Sequence, residues 1–134
     1  KGVFIMAEAI EVGLTGTATT AVKEINTAKV MKSGSLPVFA TPAMCALMEE
    51  AAQETIKPFL AEGEGSVGIK LSVTHDAPSA IGSVIIAKAT VAAVDGRRVD
   101  FEVEAFDGDL VIGKGTHSRF IINNEKFMSK LEKR

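Results

Sequence analysis

VFATPAMCALMEEAAQETIKPFL, residues 38–60, is the stretch on which the fold turns. Thr41-Pro42 has the form of a helix start, a hydroxyl able to cap followed by a proline at the first helical position. Pro58 and the EGEG run at 62–65 stop the helix near Lys57–Leu60. At about 100° per residue, Met44, Met48, Ala51, Ala52, Thr55 and Phe59 form the centre of an apolar face. Glu50, with Gln53, Glu54 and Lys57, falls on the opposite, wet side. Its neighbour Glu49 lies at the edge of the apolar face, flanked by Cys45, Ile56 and Leu60. A carboxylate there must find a partner or shed its charge. Glu49, not Glu50, is the functional candidate.

Outward from this helix the period changes. Residues 15–22, rich in Thr and Val, read as a first strand, and residues 23–40, with Gly34 and Pro37, as mainly loop with short helical turns. GSVGIKLSVTH (65–75) alternates, and SVIIAKATVAAV (83–94) is a long β-branched run. RRVDFEVEAFD (97–107) alternates with Val99, Phe101, Val103 and Ala105 on one side. Asp95-Gly96 and Asp107-Gly108 are hairpin signals. DLVIGKGTHSRFII (109–122) is the last strand, and NNEKFMSKLEKR (123–134) a short, exposed helix. One long apolar helix and one sheet with a single apolar side pack most economically with the sheet wrapped around the helix. The expected class is therefore α+β, a hotdog fold, as one domain over residues 1–134.

Composition bounds the function. A chain of 134 residues can bury a real core, and 46% hydrophobic against 24% charged residues is ordinary for a soluble globular protein. The net charge of −2, without a basic run, disfavours nucleic acid as partner, and the absence of Trp and Tyr disfavours base stacking. A lone Cys45 cannot form an internal disulfide, which suits a reducing, cytoplasmic setting. Glu8 and Glu11 interrupt KGVFIMAEAIEVGL, so it reads as neither a signal peptide nor a membrane span. Met6 reads as the natural start and Lys1–Ile5 as vector-derived. His and Cys show no metal spacing, so no metal and no cofactor is expected.

In GIKLSVTHD, Ile69, Leu71, Val73 and His75 share one face, and Lys70, Ser72, Thr74 and Asp76 the other. The apolar set should face the helix, which brings His75 inward with Glu49 as its expected neighbour. A Glu and a His at the rim of a core form an acid–base constellation, a pattern that structural ion pairs also produce. His117 has opposite parity to Phe120 and Ile122 and reads as structural or bonded to the sheet. Cys45 reads as packing.

In order along the chain, VFAT (38–41), MCALME (44–49), EGEGSVGI (62–69), VTH (73–75), VDGRR (94–98), GKGTHSR (113–119) and NNEKF (123–127) resemble the fluoroacetyl-CoA thioesterase family. These are small dimeric hotdog hydrolases, and the resemblance runs from about residue 38 to the C terminus. It implies Thr41, Glu49 and His75 as catalytic residues and Gly68 as the active-site glycine. The helical wheel and the resemblance select the same glutamate by separate routes. One departure bears on specificity. Where the resemblance implies a phenylalanine-bearing lid that selects fluoroacetyl, this chain has GSLPVFAT, one residue shorter, with Leu36 and no phenylalanine in the preceding loop. A short or medium acyl-CoA is the expected substrate, with CoA part of that substrate.

Eight residues separate Thr41 from Glu49, about 12 Å of helical rise, so the two should not touch within a chain. An active site shared across a homodimer resolves this. Thioester hydrolysis needs a nucleophile or base, an oxyanion donor and a leaving thiolate. Glu49 is expected to attack directly or through water, with His75 moving the proton. Thr41 would bond the acyl group, and backbone N–H groups near Gly68 would hold the oxyanion. Leu36, Phe39 and Met44 are expected to line the acyl pocket, and Arg97, Arg98, Lys114 and Arg119 to meet the CoA phosphates. Two other readings compete: an acyl-thioester dehydratase or hydratase on the same fold, and a non-catalytic acyl-CoA binder.

Overall fold

Alternating residues in the second half of the chain build one antiparallel sheet in the computed structural model, which describes residues 9–134. The elements run β1 (Thr15–Ala21), a 3-10 turn (Glu24–Asn26), α1 (Ala28–Met31), α2 (Thr41–Ile56) and a second 3-10 turn (Lys57–Phe59). They continue as β2 (Glu64–His75), β3 (Val84–Asp95), β4 (Arg98–Asp107), β5 (Leu110–Asn123) and α3 (Asn124–Glu132). The reading of Lys1–Ile5 and Met6 lies outside the described residues.

Five strands lie in the order β1-β3-β4-β5-β2. The hairpins form where the sequence indicated: two-residue loops, Gly96-Arg97 and Gly108-Asp109, each open on a glycine with φ of 61° and 62°. α2 crosses the inner face chiefly over β1 and β3. Small side chains let it approach: Ala51 and Ala52 on the helix, and Ala18, Ala87, Ala89 and Ala105 on the sheet, are all buried. Met44, Leu47, Met48 and Ile56 complete the buried helix face, while Glu50, Gln53, Glu54 and Lys57 remain in solvent as the wheel requires. Phe59 is only half-buried. Among the described residues no helix is long and apolar enough to cross a membrane.

Three local readings are corrected. Thr41 does not cap α2; Ala40 holds the N-cap position without a side-chain bond, and Pro42 lies in the first turn. Ile69 does not share the inner face of β2. The β2–β5 register skips it between Gly68 and Lys70, and this bulge turns Ile69 out to 50% exposure and Gly68 inward. The parity of β5 is the reverse of that suggested by Phe120 and Ile122. His117 pairs with Phe101 and Arg119 with Val99, and directly paired residues share a face. His117, Arg119 and Ile121 are therefore buried and Phe120 is 39% exposed.

β2 differs from its sheet neighbours. Val99, Phe101, Val103 and Ala105 of β4 are buried, whereas no residue of β2 is fully buried, and one long edge of β2 pairs with no strand among the described residues.

Candidate active site

Two clusters form along β2, one at each end. At the C-terminal end, Thr41 opens α2 and His75 closes β2, and Thr41 Oγ1 is 2.7 Å from His75 Nδ1. The Phe39 ring meets the imidazole edge-on, with centroids 6.5 Å apart. Burial pulls the His75 pKa below its ordinary value, against the opposing pull of Asp76 and the Ala77 backbone. The ring is thus neutral at pH 7. His75 Nε2 is buried and has no hydrogen-bond partner among the described residues. Val38, Phe39, Thr41, His75, Ala77 and Pro78 line an open cleft of about 310 Å³ beside it.

At the other end, Glu49 projects from the edge of α2 with 41% of its side chain exposed. Its Oε2 lies 3.7 Å from Arg119 Nη1 and 3.9 Å from His117 Nε2, and among the described residues no hydrogen bond reaches the carboxylate. Arg119 is held from behind: Nε donates to Ser66 Oγ at 2.8 Å and Nη2 to the Ser66 carbonyl at 2.9 Å. Nη1 donates to His117 Nε2 at 3.2 Å, so the other ring nitrogen carries the proton and donates to the Lys70 carbonyl at 2.8 Å. His117 stacks on Phe101. Burial lowers the His117 pKa; the Lys70 carbonyl opposes this, and the Arg119 charge adds to it. Gly68 faces the same carboxylate. A β-carbon there would collide with Glu49 Oε2 and come within 3.2 Å of the His117 ring.

The expected Glu49–His75 contact is absent within the chain: His75 meets Thr41, and Glu49 meets Arg119 and His117. Arg119, expected to meet the CoA phosphates, is buried, and three of its N–H donors are engaged by Ser66 and His117. Met44 is fully buried in the core and Leu36 is 63% exposed outside the His75 cleft, so of the three expected pocket residues only Phe39 lines it. Arg97 donates to the Ile121 carbonyl beside Glu64, and Arg98 pairs with Asp100 at 2.9 Å. Lys114 lines a groove of about 520 Å³ with Ser72, Thr74, Glu102 and Glu104, on the face of the sheet away from α2 and from both clusters. The Cys45 thiol is pushed up by burial and by Glu49, which keeps it protonated. Sequence reading missed the Ser66–Arg119–His117 support. Its signal was the two-residue spacing of His117 and Arg119, which places both on one strand face.

A sheet curled around one helix, with a hydroxyl–imidazole pair and a cation-flanked glutamate along one edge strand, defines a hotdog protein of the thioesterase superfamily. A hypothetical protein of Thermus thermophilus in that superfamily overlays with a TM-score of 0.85 at 29% identity, over 92% of each chain. The structure of the fluoroacetyl-CoA thioesterase FlK overlays with a TM-score of 0.89 at 35% identity, covering 94% of this chain and 98% of that one. The fluoroacetyl-CoA thioesterase of Streptantibioticus cattleyicolor is 42% identical over 97 residues, 72% of this chain and 70% of its own length. Residues 22–125 match the fluoroacetyl-CoA-specific thioesterase family, and the chain belongs to it. The match begins well before residue 38, so the resemblance reaches further toward the N terminus than the motifs alone suggest.

Proposed function

We propose that this protein hydrolyses short or medium acyl-CoA thioesters to the free acid and CoA, at two sites shared across a homodimer. The observation that carries the reading is the division of labour along β2. A neutral imidazole with an unpartnered Nε2 stands at one end, and a carboxylate with no hydrogen bond at the other. Gly68 and His75 are seven residues apart, roughly 23 Å of strand, so one chain cannot bring the two groups together. The open edge of β2 supplies the remedy. Antiparallel pairing with a second β2, about a two-fold axis near Leu71 and Ser72, sets the Gly68 end of each strand beside the His75 end of the other. Glu49 of one subunit then faces Thr41 and His75 of the next.

A thioester carbonyl between them meets a carboxylate able to attack it directly, giving a mixed anhydride, or to take a proton from an attacking water. His75, bonded at Nδ1 to Thr41, presents Nε2 to receive the proton released by the attacking water and pass it on to the departed thiolate. Oxyanion donors come from the backbone around Gly68, where the bulge leaves Ile69 outside the β2–β5 ladder. Oxygen-18 water separates the two routes: label found in Glu49 after a single turnover marks the anhydride. The single Cys45 and a CoA substrate both suit the cytoplasm.

The test is complementation. Glu49→Gln and His75→Ala proteins are each expected to be inactive in thiol release from acetyl- to octanoyl-CoA, with fluoroacetyl-CoA included. Refolded together, they should regain roughly a quarter of wild-type turnover, because half the dimers are mixed and each mixed dimer holds one intact site. Activity that never returns on mixing argues for a site within one chain. An enoyl absorbance change without thiol release points to a hydratase, and neither signal to a binder.

A further inference from the structure

We infer that the groove between the C-terminal end of α2, the first residues of β2 and α3 takes the pantetheine arm of coenzyme A. The inference rests on the thioesterase reading above and gives the leaving half of the substrate a place, which the Thr41, Glu49 and His75 set does not. The groove holds about 390 Å³, within the size range of small-molecule sites. It begins beside the carboxylate. Gln53 follows Glu49 by one turn on the same helix face, about 6 Å of rise. Ser66 precedes Gly68 by two residues, roughly 7 Å of strand. Both line the groove, and Ser66 also holds Arg119 beside Glu49.

The lining matches the chemistry of the arm, a chain of amides that ends in a hydroxyl and a gem-dimethyl group. Leu60, Val67, Ile122, Phe127 and Met128 form an apolar wall, and the side-chain amides of Gln53 and Asn124 stand on it, each with donors and an acceptor. A saturated acyl tail has no use for either amide. Gly65 makes room for one of them, since a β-carbon there would collide with Asn124 Oδ1. Phe127 and Met128 stay 38% and 53% exposed although α3 packs on β5, so the fold itself leaves this apolar face unused. The NNEKF motif, which the chemistry of Thr41, Glu49 and His75 does not employ, supplies Asn124 and Phe127. The groups also follow the order of the coenzyme. Glu49, Gln53 and Lys57 advance one turn at a time as carboxylate, amide and cation, and the substrate runs from thioester through amides to phosphates. Lys57 extends into solvent, where its exposed pair with Glu54 at 3.8 Å is weak enough for a phosphate to displace. Glu64, the carboxylate on the wall, accepts the Ala61 N–H at Oε1 and has Arg97 3.7 Å from Oε2, which compensates its charge.

The experiment compares one acyl group, the best substrate between acetyl and octanoyl, carried on CoA, on pantetheine and on N-acetylcysteamine, which lacks most of the arm. In the full-length protein, Phe127→Ala should lower the preference for the CoA thioester over the N-acetylcysteamine thioester about tenfold in kcat/KM, through KM, as loss of uniform binding does. Lys57→Ala should lower the preference for the CoA thioester over the pantetheine thioester about threefold. Calorimetric titration with free CoA gives a reading independent of turnover, and Kd should rise by similar factors in both variants. If Phe127→Ala does not fold, Met128→Asp, at an exposed position, should show the same loss of preference. Ratios and Kd within twofold of wild type in a folded variant overturn the inference, and a weakened dimer in sedimentation alongside them assigns the groove to the second subunit. A loss that grows from acetyl- to octanoyl-CoA puts the acyl tail in the groove and also overturns it. A wild-type protein that releases no thiol from any acyl-CoA overturns the thioesterase reading instead, and the change in Kd for CoA still decides the role of the groove.

Discussion

The two ends of β2 solve opposite problems. At the His75 end the decisive contact is a short, neutral hydrogen bond to Thr41, and one nitrogen is left over. At the Glu49 end the decisive contacts are the Arg119 charge at 3.7 Å and the neutral His117 ring at 3.9 Å, with no hydrogen bond among the described residues, and the guanidinium is held by Ser66 and His117. One end has a proton path without a charge, and the other a charge without a proton path. Each is stable as built, and neither is a complete acid–base device. The lesson is that β2 carries two separate clusters at opposite ends, which the proposed dimer would bring together.

Breaking either half should produce the largest effect. Glu49→Gln and His75→Ala should each lower kcat/KM on the order of 10³-fold in thiol-release assays. Glu50→Ala, one residue away on the wet face, should leave turnover unchanged and stability within about 0.5 kcal/mol. Equal losses from Glu49 and Glu50 variants would dissolve the distinction between the two carboxylates.

Gly68→Ala sharpens the comparison by disturbing one end only. The added methyl meets the Glu49 carboxylate, so kcat should fall about tenfold to 100-fold while the Thr41–His75 pair is untouched. Thermal stability should suffer less, because the half-exposed glutamate can swing away. A fully active Gly68→Ala protein would mean that the carboxylate position does not matter.

Acid should reveal a smaller difference between the ends. Both His75 and His117 have pKa values lowered by burial. In the unfolded chain each titrates near 6.5, about the ordinary value. Below that pH the unfolded state holds more protons than the folded one, so stability is level above about pH 6.5 and falls as pH drops toward the depressed folded values. Thermal melts between about pH 7.5 and about pH 5.5 should show this decline, and His75→Asn should reduce it without removing it, because His117 remains. A flat profile would contradict the buried, neutral state of both rings.

Much of the fold was legible because period and turn chemistry are local. The β4 alternation of Val99, Phe101, Val103 and Ala105, the Asp-Gly hairpins and the two faces of α2 all follow from neighbours a few residues apart. Glu49 was legible for the same reason, as an acid at the boundary of a helical face. The inner face of β5 was not, because Phe120 and Ile122 look more apolar than His117 and Arg119, and only pairing with Phe101 and Val99 decides which set turns inward. The Thr41–His75 bond was equally hidden, since Thr41 has the form of a cap and the hydroxyl turns instead to a strand end 34 residues away.

By itself, then, the chain of residues determined the helix, the strands and their turns, and it singled out Glu49 and His75 as candidates, with Thr41 and Gly68 added by the family resemblance. Only the tertiary structure decided which of these touch, that Arg119 faces inward beside Glu49, and that β2 lies at the edge of the sheet. The reason is physical. Conformational preference and amphipathic spacing act over a few residues, whereas register, bulges and burial are settled by which strands lie side by side.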